Sequence, residues 1–205
     1  RLRLDAGARR RPRSLHRALP QRCHQGEGSD VPEDSSPGVA VLGAGYWGRN
    51  LVRVMHELGA LGVIVDPVLA GSVFPGVGVQ VHHSDQLDDV LADPGIRAVV
   101  IATPAATHGA VARLCLEAGK HRFVEKPLAL DLAEAQELVE LAKDRGLVLM
   151  VGHLLQYHAA FEKLRSLVAD GLLGRIQYVY SNRLNLGKFR REENALWSFA
   201  PHDIS

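Results

Sequence analysis

Glu125, Lys126 and Pro127 stand together at the end of a short expected strand over residues 122–124. A lysine at a strand's carboxyl end can hydrogen-bond a substrate hydroxyl, and partial burial would lower its pKa toward the range useful for proton transfer. Pro127 sets the turn and restricts Lys126 to an extended backbone, which aims the side chain. The plainer reading is a surface lysine in a turn. What favours chemistry is an upstream element, Gly43-Ala44-Gly45-Tyr46-Trp47-Gly48, which follows an apolar run over residues 39–42. Gly43 permits the tight turn, Gly45 lets the backbone approach a pyrophosphate, and Gly48 allows close helix–strand packing. A diphosphate would rest against the free N–H groups and positive dipole end of the helix that follows. Asp66 ends the next apolar run, at about the twenty-residue offset of an acid that accepts from ribose hydroxyls. It also suits a turn before Pro67. As a ribose ligand it would repel a 2′-phosphate, favouring NAD over NADP.

Further candidates line the same expected edge. Thr103-Pro104 and His108 follow the fourth apolar run and can border the nicotinamide ribose. Thr107 suits a helix N-cap that needs no ligand, and His108 fits a structural role as well as a functional one. His153 and Tyr157 lie just past the last apolar run, within reach of a cleft. His202 sits in Trp197-Ser198-Phe199-Ala200-Pro201-His202-Asp203, and an ordinary imidazole pKa of about 6.5 suits a general acid or base. A lone histidine is nonetheless more often structural. His82 and His83 lack a third ligand at useful spacing, so no metal site is expected.

The elements that must position these residues alternate. Strands are expected at residues 39–42, 63–65, 79–82, 98–102, 122–124 and 147–151, with helices from Gly48 to about Leu58 and over 84–91, 107–119 and 131–145. Leu51, Val52, Met55 and Leu58 give the first helix one apolar face. Asp131 and Glu134 form a capping-box pair, and Gly146 closes that helix. Continuous apolar strands alternating with helices predict an α/β fold, a doubly wound parallel sheet of the Rossmann type covered on both faces. Ligands bind such sheets at the carboxyl ends of the strands. After residue 152 the pattern changes to a helix over 161–168 and an alternating, half-buried strand over 176–182. Residues 38–152 are thus read as a dinucleotide-binding domain, and 153–205 as the beginning of a second, α+β domain, too short to stand alone.

Composition narrows the class. The chain has 205 residues, 46% hydrophobic, with a net charge of +1. No run is long and apolar enough to span a membrane. Cys23 and Cys115 supply neither a disulfide framework nor a metal spacing, which fits a reducing cytoplasm. Residues 1–22 carry eight arginines against Asp5, whereas 23–37 carry four acids and no base. Residues 1–37 are read as a disordered tail; a nucleic-acid arm, an organelle-targeting peptide and a functionless extension compete, the last being simplest. The remainder is nearly neutral, so no nucleic-acid partner is expected.

These motifs together resemble the Gfo/Idh/MocA oxidoreductases, the family of glucose-fructose oxidoreductase and inositol dehydrogenase. The matching pieces are Gly43 to Gly48, Thr103-Pro104 with His108, Glu125-Lys126-Pro127, and His202. The resemblance implies that Lys126 and His202 flank the reacting carbon of a sugar or cyclitol, one taking the hydroxyl proton as hydride leaves for nicotinamide. It implies that Gly43, Gly45, Tyr46, Trp47, Gly48, Asp66, Thr103, Pro104, His108 and Glu125 hold the cofactor. The Gly-Tyr-Trp-Gly turn, Asn182-Arg183-Leu184-Asn185-Leu186-Gly187 and Glu193-Asn194-Ala195-Leu196-Trp197 look most like enzymes that oxidise C3 of UDP-N-acetylglucosamine or its uronate, feeding surface-polysaccharide synthesis. Tyr157, Arg183 and Asn194 would then touch substrate. Many family members carry an aspartate where Ser198 stands, which leaves His202 less activated. Members also continue well beyond this length, building a sheet that closes the substrate site and forms the oligomer interface. The chain alone is expected to bind NAD weakly with little turnover, and to self-associate only within a longer protein. The competing readings are a non-catalytic sensor of nicotinamide or a metabolite, and an inositol or free-sugar dehydrogenase.

Overall fold

A computed structural model of the chain describes residues 38–82, 86–182, 200 and 204. Six strands form one sheet in the order β3-β2-β1-β4-β5-β6, every pairing parallel. The strands are β1 (Val39–Leu42), β2 (Leu61–Val65), β3 (Val81–His82), β4 (Ala98–Ile101), β5 (His121–Val124) and β6 (Leu149–Val151). The helices are α1 (Gly48–Glu57), α2 (Leu87–Ala92), α3 (His108–Glu117), α4 (Leu132–Asp144) and α5 (Ala159–Ala169). This is the doubly wound order in which the winding reverses between β1 and β4.

Alternation along each strand builds two cores. Ala40, Leu42, Val99, Ile101 and Val124 face one layer with Ala112, Cys115 and Leu116 of α3 and Leu138 and Ala142 of α4. Val41, Ile64 and Val100 face the other, with Val52 of α1, Phe74 and Val81. Each fully buried Val, Leu or Ile removes apolar surface worth about 1.5–3 kcal/mol, so apolar residues at consecutive strand positions are all used. The helices that flank the reversal therefore lie on opposite faces of the sheet. α4 begins as expected, with the Asp131 carboxylate accepting from Glu134 N–H at 3.0 Å.

The second helix covers Leu87–Ala92, and the expected start at Ser84 lies outside the described residues. One expectation changes. Residues 176–182 form no strand and are exposed. An alternating sequence becomes a strand only when a neighbour takes its N–H and C=O groups, and no described segment pairs with this one. α5 likewise buries none of its residues. The expected tail over 1–37 and most of 183–205 lie outside the described residues. Among the described residues no helix is long and apolar enough to cross a membrane, and no cluster of three His, Cys, Asp or Glu could hold a metal.

Candidate active site

The winding reversal opens a crevice where β1 and β4 end, and the three glycines each meet a different demand there. Gly43 turns with φ +86°, and its N–H donates to the Val65 carbonyl at 2.8 Å. A Cβ on Gly43 would stand 2.7 Å from the Ala102 oxygen, so the turn leaving β1 lies against the turn leaving β4. A Cβ on Gly48 would overlap the Gly43 carbonyl oxygen, which is why α1 can start so close to its strand. A Cβ on Gly45 would meet nothing within 4 Å. That open space lies at the positive dipole end of α1, where Arg49 N–H and Asn50 N–H are already taken by the Gly45 and Trp47 carbonyls at 3.1 and 2.9 Å. The cradle fits a diphosphate.

Asp66 is buried and takes the turn-forming role expected of it. Oδ1 accepts from Val68 N–H at 2.9 Å and Leu69 N–H at 3.0 Å, making the turn. Oδ2 accepts from Ala44 N–H at 2.7 Å, which ties the acid to the glycine turn. A carboxylate has about four acceptor sites, so one on Oδ2 remains for a ribose hydroxyl.

Tyr46 is exposed, whereas Trp47 leans across the crevice: its Nε1–H donates to Glu125 Oε1 at 2.7 Å. The bond links the loop after β1 directly to the Glu125-Lys126-Pro127 turn after β5. Gly152, at the end of β6, makes room for it, since a Cβ there would lie 3.0 Å from Glu125 Oε1. Both residues were visible as candidates in the sequence, but nothing in their spacing indicated the pair or the need for Gly152. Lys126 is half-buried beside them, and its peptide bond to Pro127 is cis.

The β4 exit differs from expectation. The Thr107 hydroxyl makes no N-cap bond. It turns back to donate to the Pro104 carbonyl at 2.8 Å and shares a hydrogen bond with the Thr103 hydroxyl at 2.8 Å. The His108 ring is buried, with Nδ1 2.6 Å from the Pro127 oxygen and Nε2 2.8 Å from the Thr103 oxygen. Neither ring nitrogen is turned to the cleft, so any influence on a cofactor is indirect. Past β6, His153 keeps a buried Nδ1 without a partner, and Tyr157 is exposed on a 3-10 turn over Leu154–Tyr157. Arg183, Asn194 and His202 lie outside the described residues.

Among the described residues, the titratable groups with displaced pKa values sit at the opposite end of β5. Burial pulls the Arg122 guanidinium down to about 10 and pushes the Cys115 thiol up to about 11, with the attraction of Arg122 working against the latter. Lys120, also buried, donates from Nζ to the Asp93 and Ile96 carbonyls at 2.7 Å each. These cations anchor the amino-terminal edge of the sheet, away from the crevice.

A glycine turn at the winding reversal of a parallel sheet is the arrangement of a dinucleotide-binding Rossmann domain. The family model for oxidoreductases with an NAD-binding Rossmann fold matches residues 38–153, and the chain belongs to this Gfo/Idh/MocA family. It is similar to UDP-N-acetylglucosamine 3-dehydrogenase of Acidithiobacillus ferrooxidans, 34% identical over 71% of this chain and 45% of that enzyme. A solved structure of that enzyme superposes with a TM-score of 0.57 at 33% identity, covering 62% of this chain and 42% of the other. The NAD(+)-dependent scyllo-inositol 2-dehydrogenase of Bacillus subtilis is 36% identical over 68% of this chain and 42% of its own length. The 2,7-anhydro-N-acetylneuraminate hydratase of Mediterraneibacter gnavus is 28% identical over 71% and 39%. The chain thus spans less than half the length of these relatives.

Proposed function

We propose that this chain carries the cofactor domain of an NAD-dependent dehydrogenase acting on a secondary hydroxyl of a sugar, with a UDP-sugar oxidised at C3 as the preferred substrate. The observation that carries the reading is the Trp47–Glu125 bond, which joins the dinucleotide cradle to the turn bearing Lys126. Gly43, Gly45 and Gly48 admit the diphosphate, and the remaining acceptor of Asp66 takes a ribose hydroxyl, supporting NAD over NADP. When bound, the nicotinamide supplies hydride acceptance. Lys126 holds the substrate hydroxyl and moves its proton. His202, with Tyr157, Arg183 and Asn194, completes the substrate side by resemblance. The UDP-sugar preference rests on the 34% identical dehydrogenase and on the Asn182-to-Gly187 and Glu193-to-Trp197 strings.

The test uses the protein expressed from its gene through to the stop codon. NAD binding, read by quenching of tryptophan fluorescence, is expected to saturate at or below millimolar cofactor. NADH formation is then followed with a panel of UDP-sugars and free cyclitols. Lys126→Ala is expected to lower turnover by about 10²–10⁴-fold, the range for a lost general acid–base group, with NAD affinity little changed. Retained turnover in that variant would remove Lys126 from the chemistry. Oxidation of cyclitols alone would displace the nucleotide-sugar assignment.

A further inference from the structure

His108 opens α3, yet its ring faces the backbone of two different turns. Thr103 belongs to the turn leaving β4, one wall of the crevice. Pro127 follows Lys126 in the turn leaving β5. The ladder bond from Glu125 N–H to the Ile101 carbonyl, 2.9 Å, joins the two strands just before both turns begin. The imidazole bridges them again farther out, with 2.6 Å at Pro127 and 2.8 Å at Thr103.

Carbonyl oxygens only accept, so each ring nitrogen can engage its carbonyl only by donating an N–H. A neutral imidazole has one N–H and the imidazolium has two. Holding both carbonyls therefore requires the doubly protonated ring. The positive end of α3 and the burial of the ring both oppose that charge. The two carbonyl dipoles favour it, as does the Glu134 carboxylate of α4, which packs against the Cα of Gly109 one residue along. Glu125 and Lys126 are the charged groups of the adjoining turn.

We propose that His108 is a positioning residue: donating from both ring nitrogens, it clasps the Thr103 and Pro127 carbonyls and so sets the Lys126 turn against the wall of the crevice. The proposal rests on the reading of Lys126 as the proton-transfer group. Loss of the clasp leaves the glycine cradle intact and frees the lysine-bearing turn, so it acts on turnover rather than on cofactor affinity.

Two measurements test it. In ¹⁵N-labelled protein, long-range ¹H–¹⁵N spectra of the His108 ring, assigned by their loss in His108→Gln, are expected to show two ring N–H signals protected from exchange. A ring with one unprotonated nitrogen overturns the clasp. Glutamine retains one donor arm, so His108→Gln is expected to disturb backbone amide signals in both 103–107 and 125–128. Its kcat for hydride transfer should fall by about 10- to 100-fold, the cost of misplacing a reacting group, while the NAD Kd changes by less than about threefold. A folded variant with wild-type kcat, or with weaker NAD binding and unchanged kcat, overturns the role. Lys126→Ala in the same assay separates this from the functional reading. If that variant still turns over, the assignment of Lys126 has failed, and the ring signals alone decide whether the clasp exists.

Discussion

Glycines 45 and 48 lie three residues apart in one turn, yet alanine at each should do opposite things. At Gly48 the added methyl would overlap the Gly43 carbonyl oxygen, lie 2.9 Å from its carbon, and stand 3.3 Å from the Ala102 Cβ. The obstacle is backbone, not the end of a flexible side chain. α1 would have to withdraw by more than about 1 Å from a strand against which Val52 is fully buried. Overpacking of this kind costs about 1–3 kcal/mol, less a gain of up to about 1 kcal/mol from helix propensity. For a domain of this size a net loss of about 2 kcal/mol lowers Tm by roughly 4–8 °C. At Gly45 the methyl meets nothing within 4 Å and φ is not positive, so stability should stay within about 0.5 kcal/mol of wild type. The same methyl occupies the space assigned to the diphosphate. One charge-assisted hydrogen bond left unmade costs about 1.5–3 kcal/mol, or about ten- to hundredfold in Kd. Thermal melts without ligand and NAD titration by tryptophan fluorescence read the two effects separately. A Gly45→Ala protein that melts normally and binds NAD like wild type would refute the placement of the diphosphate. Equal destabilisation by both substitutions would refute the packing argument.

Cys115 should ignore thiol reagents in the folded state: in a Cys23→Ser background, reaction at pH 8 is expected only as denaturant unfolds the chain, and rapid labelling of native protein would contradict its burial. Because its folded pKa of about 11 exceeds the ordinary 9.0, the folded state keeps its proton longer than the unfolded one. Its contribution is complete below pH 9 and is lost as pH rises toward 11, so urea midpoints should fall across that window, and Cys115→Ala should flatten the fall. Arg122 is buried with Nε and Nη1 lacking partners, and its lowered pKa shows that folding disfavours its charge. Arg122→Met is therefore expected to be neutral or stabilising by about 1–2 kcal/mol in urea denaturation, and a loss of that size would show the guanidinium to be needed.

Much of the architecture was legible because it is local and periodic. Apolar runs at residues 39–42 and 98–101 have no polar face to offer solvent, so they had to become interior parallel strands. The helix at residues 132–144 announced itself through the Asp131 cap. The strand expected over 176–182 failed for the complementary reason: its alternation encodes a preference for a half-buried surface, but pairing requires a neighbouring strand that no described residues supply.

The site divides along the same line. The glycine spacing, the acid at Asp66 and the Glu125-Lys126-Pro127 turn were determined by sequence alone, because each is a requirement of backbone geometry or chemistry expressed within a few residues. Which of them touch was decided by the tertiary structure. Only parallel pairing of β1, β4 and β5 carries Trp47 to Glu125, 78 positions along the chain, and sets His108 between the carbonyls of Thr103 and Pro127. Such contacts depend on strand order and side-chain direction, and neither is written into the spacing of the residues that make them.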